Sequence, residues 1–321
     1  MNIKSEYKLF CSEESGIPIY SYPWWLDAVC GEENWDVILV KRKEQIVASF
    51  PYFLFKDKGM KCIGMPQLTQ KLGVYIKYPQ NQSEMARLSY EKEILTEIIN
   101  RLPACDFFRV NFDYSYTNWL PFYWQGFSQT TYYTYVVEDI ADMERVYTCF
   151  DRSKKKNIKK AQGLVEFGFD LSAEEFYQNH QMTLKKQGKE ISYSYAYFTK
   201  LYKAAYREGA GRTIYAKDKE GHLHAALFVV WDKVSAYDLI STIDPEFRDS
   251  GASSLLVYEM MKFLSSKVKR FDFEGSMIEG VENSFRKFGA SQKAYFSISK
   301  RNSRRFIVLK GLKDIWNGIR G

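Results

Sequence analysis

Cysteine is scarce and one-sided in this chain of 321 residues: Cys11, Cys30, Cys62, Cys105 and Cys149 all lie in the first half. An odd number at wide spacing supplies neither a disulfide framework nor a zinc ligand set, so reduced thiols of a cytoplasmic protein are expected. Histidine is scarcer still. His222 and His224 share a strand face, His180 is remote, and third and fourth ligands are missing, so no metal is expected. No apolar run is long enough to span a bilayer, and residues 1–6 (MNIKSE) lack the apolar core of a signal peptide. A Gly-x-Ser-x-Gly elbow, a cysteine–histidine pairing and a P-loop are also absent, which argues against those nucleophile and phosphate-binding chemistries. Charge of one sign is not in great excess: +7 suits an anionic ligand, an RNA or an acidic membrane surface without choosing among them.

What is present is apolar and aromatic. Hydrophobic residues make up 45% of the chain, enough for two ordinary cores, and 24 Tyr with 23 Phe suit half-buried strands. The most informative feature is self-similarity. Residues 38–50 read ILVKRKEQIVASF and residues 214–228 read IYAKDKEGHLHAALF, each a strand, a Lys-x-Lys-Glu turn and a returning strand. Downstream, GFSQTTYY at 126–133 matches GASQKAYF at 289–296. Each follows an aromatic-rich strand, 106–113 or 270–274, and a helical stretch. Two matches in the same order, with one length change between them, indicate a duplicated domain.

Both copies read as helix, hairpin, strand, helix, strand, helix, strand, which calls for a mixed sheet with one parallel step. In the second copy the order is hairpin, strand 234–243, helix 251–267, strand 270–274, helix 278–288 and strand 292–299. A helix over 140–161 is expected to join the copies, placing the domains at 1–145 and 146–321.

On these residues the chain resembles the FemABX-like branch of the GNAT superfamily and the acetyltransferase domains found beside biotin and polysaccharide genes. The carriers are Arg152-x5-Ile158-Lys159-Lys160-Ala161, Ala236-Tyr237-Asp238-Leu239-Ile240-Ser241, Gly251-Ala252-Ser253-x-Leu255-Leu256, Phe271-Asp272-Phe273-Glu274-Gly275 and Phe285-Arg286-Lys287-Phe288-Gly289. The resemblance implies an α/β (α+β) chain of two tandem GNAT-like domains, each a mixed, mostly antiparallel sheet flanked by helices. It also implies an acyl donor, acyl-CoA (acetyl-CoA) or aminoacyl-tRNA, and an acceptor near the junction. The long coiled-coil arm of some cell-wall members is missing, which weakens the expectation of tRNA.

GNAT folds hold a pyrophosphate on exposed backbone N–H groups at a helix start, where Gly251 permits close approach, Ser253 or Ser254 could cap and Arg248 could meet phosphate. Arg248, Ser250, Gly251, Ala252 and Ser253 are the donor-binding candidates on that ground. The matching stretch of the first copy, 78–85, has no glycine, so that copy is read as having lost donor binding. Its loop residues Gln67, Gln70 and Lys71 are candidate acceptor contacts. On a strand over 270–274, Asp272 and Glu274 would share a face and raise one another's pKa, leaving one to take a proton from the attacking amine. Glu274 is the first candidate base, with Asp272, Asp238 and Tyr237 as rivals. Arg286 matches a basic position that faces the donor in Fem-type members. The basic run from Arg152 to Lys160 contributes Arg152 and Lys159 as phosphate or acceptor contacts, against the plainer reading of a solvated helix face. Residues 304–316 form a basic amphipathic tail that packs on the domain or touches an anionic membrane at the inner face.

The expectation is an acyltransferase passing an acetyl or aminoacyl group to an amine of a cell-envelope precursor, sugar or peptide. The alternatives are an aminoacyl-tRNA-dependent Fem-type peptide transferase and a catalytically inactive GNAT-fold binding module. No DNA partner is expected.

Overall fold

The computed structural model describes residues 2–275, 277–303 and 306. In chain order the helices and strands are α1 (Ile3–Glu13), α2 (Pro23–Val29), β1 (Trp35–Arg42), β2 (Gln45–Asp57), β3 (Met60–Gly64), β4 (Tyr75–Ile76), α3 (Glu84–Arg101), β5 (Phe107–Asn111), α4 (Leu120–Trp124) and β6 (Ser128–Val137). There follow α5 (Met143–Cys149), α6 (Arg152–Gln162), β7 (Glu166–Phe169), α7 (Ala173–Lys186), α8 (Tyr195–Arg207), β8 (Gly211–Lys217), β9 (Leu223–Trp231) and β10 (Ser235–Ile243). A 3-10 turn (Pro245–Ser250), α9 (Ala252–Leu264), β11 (Arg270–Asp272), α10 (Glu279–Arg286) and β12 (Ser291–Arg301) complete the order.

Local chemistry sets these boundaries. Ser83, Ser172 and Ser194 each accept a backbone N–H three residues on and so start α3, α7 and α8. At α7, Ser172 Oγ accepts the Glu175 N–H and donates to the Glu175 carboxylate. The single helix expected over 140–161 is instead two. Phe150 leaves the helical conformation, and Asp151 restarts it by accepting the Ser153 N–H. At the β1–β2 turn Lys43 and Glu44 both adopt positive φ (50° and 65°), the geometry of a two-residue hairpin.

The chain forms two compact units: Met1–Tyr132 with Ala294–Gly321, and Tyr133–Lys293. In the first, the strand order is β1-β2-β3-β5-β12, with β4 on β2, and every pairing is antiparallel except β3 with β5. In the second the order is β6-β11-β10-β9-β8-β7, antiparallel except β10 with β11. Each unit therefore has one short parallel step spanned by a helix, α3 or α9, as the duplicated sequence requires.

The pairings also show an exchange. β6 ends the first sequence repeat, yet Val136 and Val137 pair with Asp272 and Phe271 of the second unit. β12 ends the second repeat, yet Ser297–Arg301 pair with Asn111–Phe107 of the first. The chain crosses between units within β6 and again within β12, so the compact units cut the sequence elsewhere than at 145/146.

Each unit has its own core. Tyr7, Phe50, Ile63, Ile94, Phe108 and Phe112 are buried in the first, and Val229, Ala236, Leu256, Met260 and Phe271 in the second. Full burial of such side chains stabilises by roughly 1.5–3 kcal/mol apiece, so each unit has the means to order its own sheet.

Candidate active site

The site in the second unit starts from a strand that loses its neighbour. β10 and β11 pair in parallel over Ser235–Tyr237 and Arg270–Asp272 only, while β10 runs on to Ile243. Beyond Tyr237 that edge of β10 has no paired strand among the described residues. Within this stretch β10 carries a bulge: Asp238 is opposite Val229 but Ile240 is opposite Phe228, so Leu239 is the extra residue. β10 then delivers the chain through the 3-10 turn to Gly251 and α9. The open strand edge and the start of α9 thus share the end of the sheet where parallel strands present their C-termini, the usual ligand side of such steps.

Asp238 is enclosed, with 6% of its surface exposed, and both carboxylate oxygens accept from Ser241 Oγ at 2.9 and 2.8 Å. Burial outweighs that hydrogen bond and pushes the carboxyl up to about 6. A base titrating there stays mostly ionised at neutral pH yet binds a proton usefully.

The reading of Asp272 and Glu274 as face-sharing strand residues needs correction. β11 ends at Asp272, and Glu274 adopts φ 62°, so alternation does not carry through to it. The Asp272 carboxylate accepts from Thr134 Oγ1 and from the Glu274 N–H, which fixes the bend. Gly275 continues the bend at φ 75°, and a Cβ there would meet the Tyr133 carbonyl at 2.2 Å. Glu274 itself is only 4% exposed, a carboxyl held within the protein next to the β10–β11 parting. Tyr237 is buried with its hydroxyl donating to Asp232 at 2.8 Å, and Asp232 also takes the Val234 and Ser235 N–H groups. That ties the Tyr237 hydroxyl to the turn entering β10.

The α9 mouth differs from expectation in one physical respect. Gly251 has φ 82°, and a Cβ on it would lie 2.3 Å from the Asn157 carbonyl oxygen of α6. The close approach that glycine permits is therefore by α6 backbone. Ser250 is buried, with Oγ accepting the Ala252 N–H at 3.2 Å, and no side chain caps α9 from position 251. Ser253 is half-buried and Arg248 exposed. Lys160 donates to the Asp249 carbonyl at 2.6 Å, so α6 brings a cation to this loop.

On the remainder of α6, Arg152, Lys156 and Lys159 are exposed and, with Lys155, Asp151 and Ser153, line a cleft of about 720 Å³. Lys154 turns inward, donating to Ser284 Oγ of α10 at 2.8 Å over the Phe288 ring, and burial lowers it to about 8. Arg286 is exposed on α10 and bonds Asn283 and Glu282 of its own helix. At the β8–β9 turn Asp218 bonds both His222 and His224, and Asp218, Glu220 and His222 present ligand atoms within 4.8 Å of one another. The two histidines were visible in the sequence; the carboxylates joining them were not.

In the first unit the loop carrying Gln67, Gln70 and Lys71 is tied down. Trp25 donates to Thr69, and Asn111 donates to the Gln70 carbonyl. Gln67 is exposed, but Lys71 is only 1% exposed with its ammonium 5.3 Å from the Tyr114 ring centre. The basic tail expected over 304–316 lies outside the described residues except for Phe306. Among the described residues no helix is long and apolar enough to cross a membrane.

Comparison with known proteins identifies the class. Residues 134–283 match the family model Acetyltransferase (GNAT) domain, a span that contains β10, the α9 mouth and β11. No curated protein matches the sequence. Among solved structures, FemX superposes with a TM-score of 0.67 at 12% identity, covering 92% of this chain and 96% of that one. L-PGS from Bacillus licheniformis gives 0.53 at 11%, covering 95% and 94%. A conserved protein of unknown function from Bacteroides thetaiotaomicron gives 0.51 at 11%, covering 94% and 98%. The chain has the GNAT fold, and that fold is similar to the fold of FemX.

Proposed function

We propose that the second unit holds an acyl-CoA, such as acetyl-CoA, and transfers its acyl group to an amine of a sugar, peptide or cell-envelope precursor. The observation that carries this reading is the parting of β10 from β11 after three residues, beside a helix start whose N-cap is a left-handed glycine without a side chain. The open edge of β10 gives an extended donor arm a strand to lie along. The α9 mouth, with Arg248, Ser250, Gly251, Ala252 and Ser253 and with Lys160 alongside, attracts its pyrophosphate. Bringing the two reactants together at one strand end supplies much of the acceleration through positioning.

Chemistry is direct transfer. The amine attacks the donor carbonyl, and its proton passes to a carboxylate. Asp238 is the first choice for that base, because it combines enclosure with an affinity for protons near neutrality, and Glu274 is the second. The acceptor role is assigned to the first unit, with Gln67 on its exposed loop; the serine cap of α3 supports that assignment.

A second reading keeps the same fold and uses aminoacyl-tRNA. The exposed row Arg152, Lys156 and Lys159 along one cleft favours it, since such a row meets successive phosphates. Calorimetry with acetyl-CoA and with charged tRNA at two salt concentrations separates the two. The expected result is one acetyl-CoA site with an affinity between about 1 μM and 1 mM that changes little with salt. Binding of charged tRNA alone, falling steeply with salt, would select the second reading. Binding of neither would leave a catalytically inactive module.

A further inference from the structure

We infer that Ser241 is a catalytic residue: its hydroxyl carries the proton from the acceptor amine to the enclosed Asp238 carboxylate. The inference rests on the acyl-transfer reading of the second unit and assigns a residue that reading lacks.

Geometry makes the case. On a regular strand, residues three apart point to opposite faces, so Asp238 and Ser241 would not meet. The bulge at Leu239 adds one residue to the count and brings them onto one side, where Ser241 Oγ lies 2.9 and 2.8 Å from the two Asp238 oxygens. Of the nine residues of β10, seven are buried, Ile243 is half-buried, and Ser241 alone is exposed. Asp238 cannot reach an acceptor itself, because its carboxyl is enclosed. Ser241 can, because it is exposed, on the stretch of β10 beyond its pairing with β11. A hydroxyl both donates and accepts, so it can take a proton on one side while giving its own to the other.

The step balances as follows. The amine nitrogen forms its bond to the donor carbonyl carbon, and the carbonyl π electrons move to oxygen. The ammonium proton goes to Ser241 Oγ as the Ser241 proton goes to an Asp238 oxygen. Collapse of the tetrahedral adduct breaks the bond to the leaving group, and the proton on Asp238 returns through Ser241 to the departing sulfur or oxygen. Ser241 forms no covalent bond to the acyl group.

Several titratable side chains on the elements packed against β10 have other partners. Asp272 of β11 takes Thr134, and Arg270 of β11 is beside Glu138. His224 of β9 bonds Asp218, His180 and Lys186 of α7 bond Tyr193 and Asp244, and Glu259 of α9 bonds Lys262. Burial and the Ser241 hydroxyl are the influences on Asp238 itself.

The test compares wild type with Ser241→Ala, Ser241→Thr, Asp238→Asn and the double variant Ser241→Ala/Asp238→Asn. Thiol release from acetyl-CoA is followed with glucosamine and with triglycine as amines, across pH 5 to 9. Acetyl-CoA affinity is measured in parallel by calorimetry. Ser241→Ala should lower kcat by about 100-fold or more while the acetyl-CoA dissociation constant stays within about twofold. Its acid limb should move to higher pH, because the hydrogen bond that lowers Asp238 is gone. Ser241→Thr should recover most of the rate, and the double variant should be no slower than the slower single one, since the pair acts as a unit. Transfer that is indifferent to Ser241, or losses that multiply in the double variant, would overturn the relay and leave the acyl-transfer reading intact. No transfer by the wild-type chain, with acetyl-CoA unbound, would overturn both.

Discussion

The two units contain the same strand–helix–strand step and handle it differently. In the first, β3 leads to α3 through a long loop in which β4 pairs back onto β2, and Ser83 satisfies the first turn of α3 by accepting the Ala86 N–H at 3.2 Å. In the second, β10 leads to α9 through a 3-10 turn and a left-handed glycine, with no side-chain cap at that position and with Lys160 alongside. The β3–β5 step pairs over two residues and the β10–β11 step over three. A duplicated fold thus supplies two helix starts: in the first Ser83 takes the Ala86 N–H, and in the second Ser250 takes the Ala252 N–H. Capping and anion binding compete for the same backbone N–H groups.

The comparison can be broken or sharpened experimentally. The largest effect should come from the reacting group: Asp238→Asn should slow acyl transfer by about 10²- to 10⁴-fold with acetyl-CoA affinity preserved. Unchanged turnover would move the base role to Glu274, where Glu274→Gln is the matching test. Next is packing at the second helix mouth. Gly251→Ala places a Cβ against the Asn157 carbonyl in a left-handed conformation, and should cost about 2–4 kcal/mol by urea unfolding. It should also weaken acetyl-CoA binding by shifting α6 from α9.

The buried carboxyl gives the third prediction. A folded-state pKa raised to about 6 means that the contribution of Asp238 to stability is fully present below pH 4 and is lost as pH rises through 6. Asp238→Asn should therefore stabilise the protein at pH 8 relative to pH 4, by up to about 3 kcal/mol. Equal stability differences at the two pH values would show that the carboxyl is not enclosed in solution. His180 runs the other way: burial lowers it to about 4. Its contribution is present above pH 6.5 and lost as pH falls through 4, so His180→Gln should flatten the acid side of the stability profile. The smallest effect is expected in the first unit. Ser83→Ala should cost about 1 kcal/mol of stability and leave acetyl-CoA affinity untouched. A change in donor affinity there would mean that the first unit binds donor after all.

Much of the fold was legible because it is written in local signals. The hairpins at 38–50 and 214–228 alternate, their turns are charged, and the Gly126 and Gly289 matches both mark positive-φ turns before a strand. The parallel step was legible from strand–helix–strand order. At the site, the motif around Asp238 and the loop at Gly251 could be picked out, yet their roles could not be ranked. Glu274 looked like a strand residue because Phe271-Asp272-Phe273-Glu274 alternates; the left-handed turn that ends the pattern is enforced by Asp272 and Thr134, which lie 138 positions apart. Ser241 stood at the end of the Ala236–Ser241 motif with no role of its own, because a bulge leaves almost no trace in composition.

Sequence alone determined the duplication, the mixed sheets and the resemblance to GNAT acyltransferases, since each depends on periodicity or on order along the chain. Tertiary structure decided that β6 and β12 pair in the opposite units, that Gly251 seats the backbone of α6, and that Asp238 is enclosed behind Ser241. Those outcomes depend on which distant segments desolvate a group or compete for its hydrogen bonds, and no local pattern encodes that.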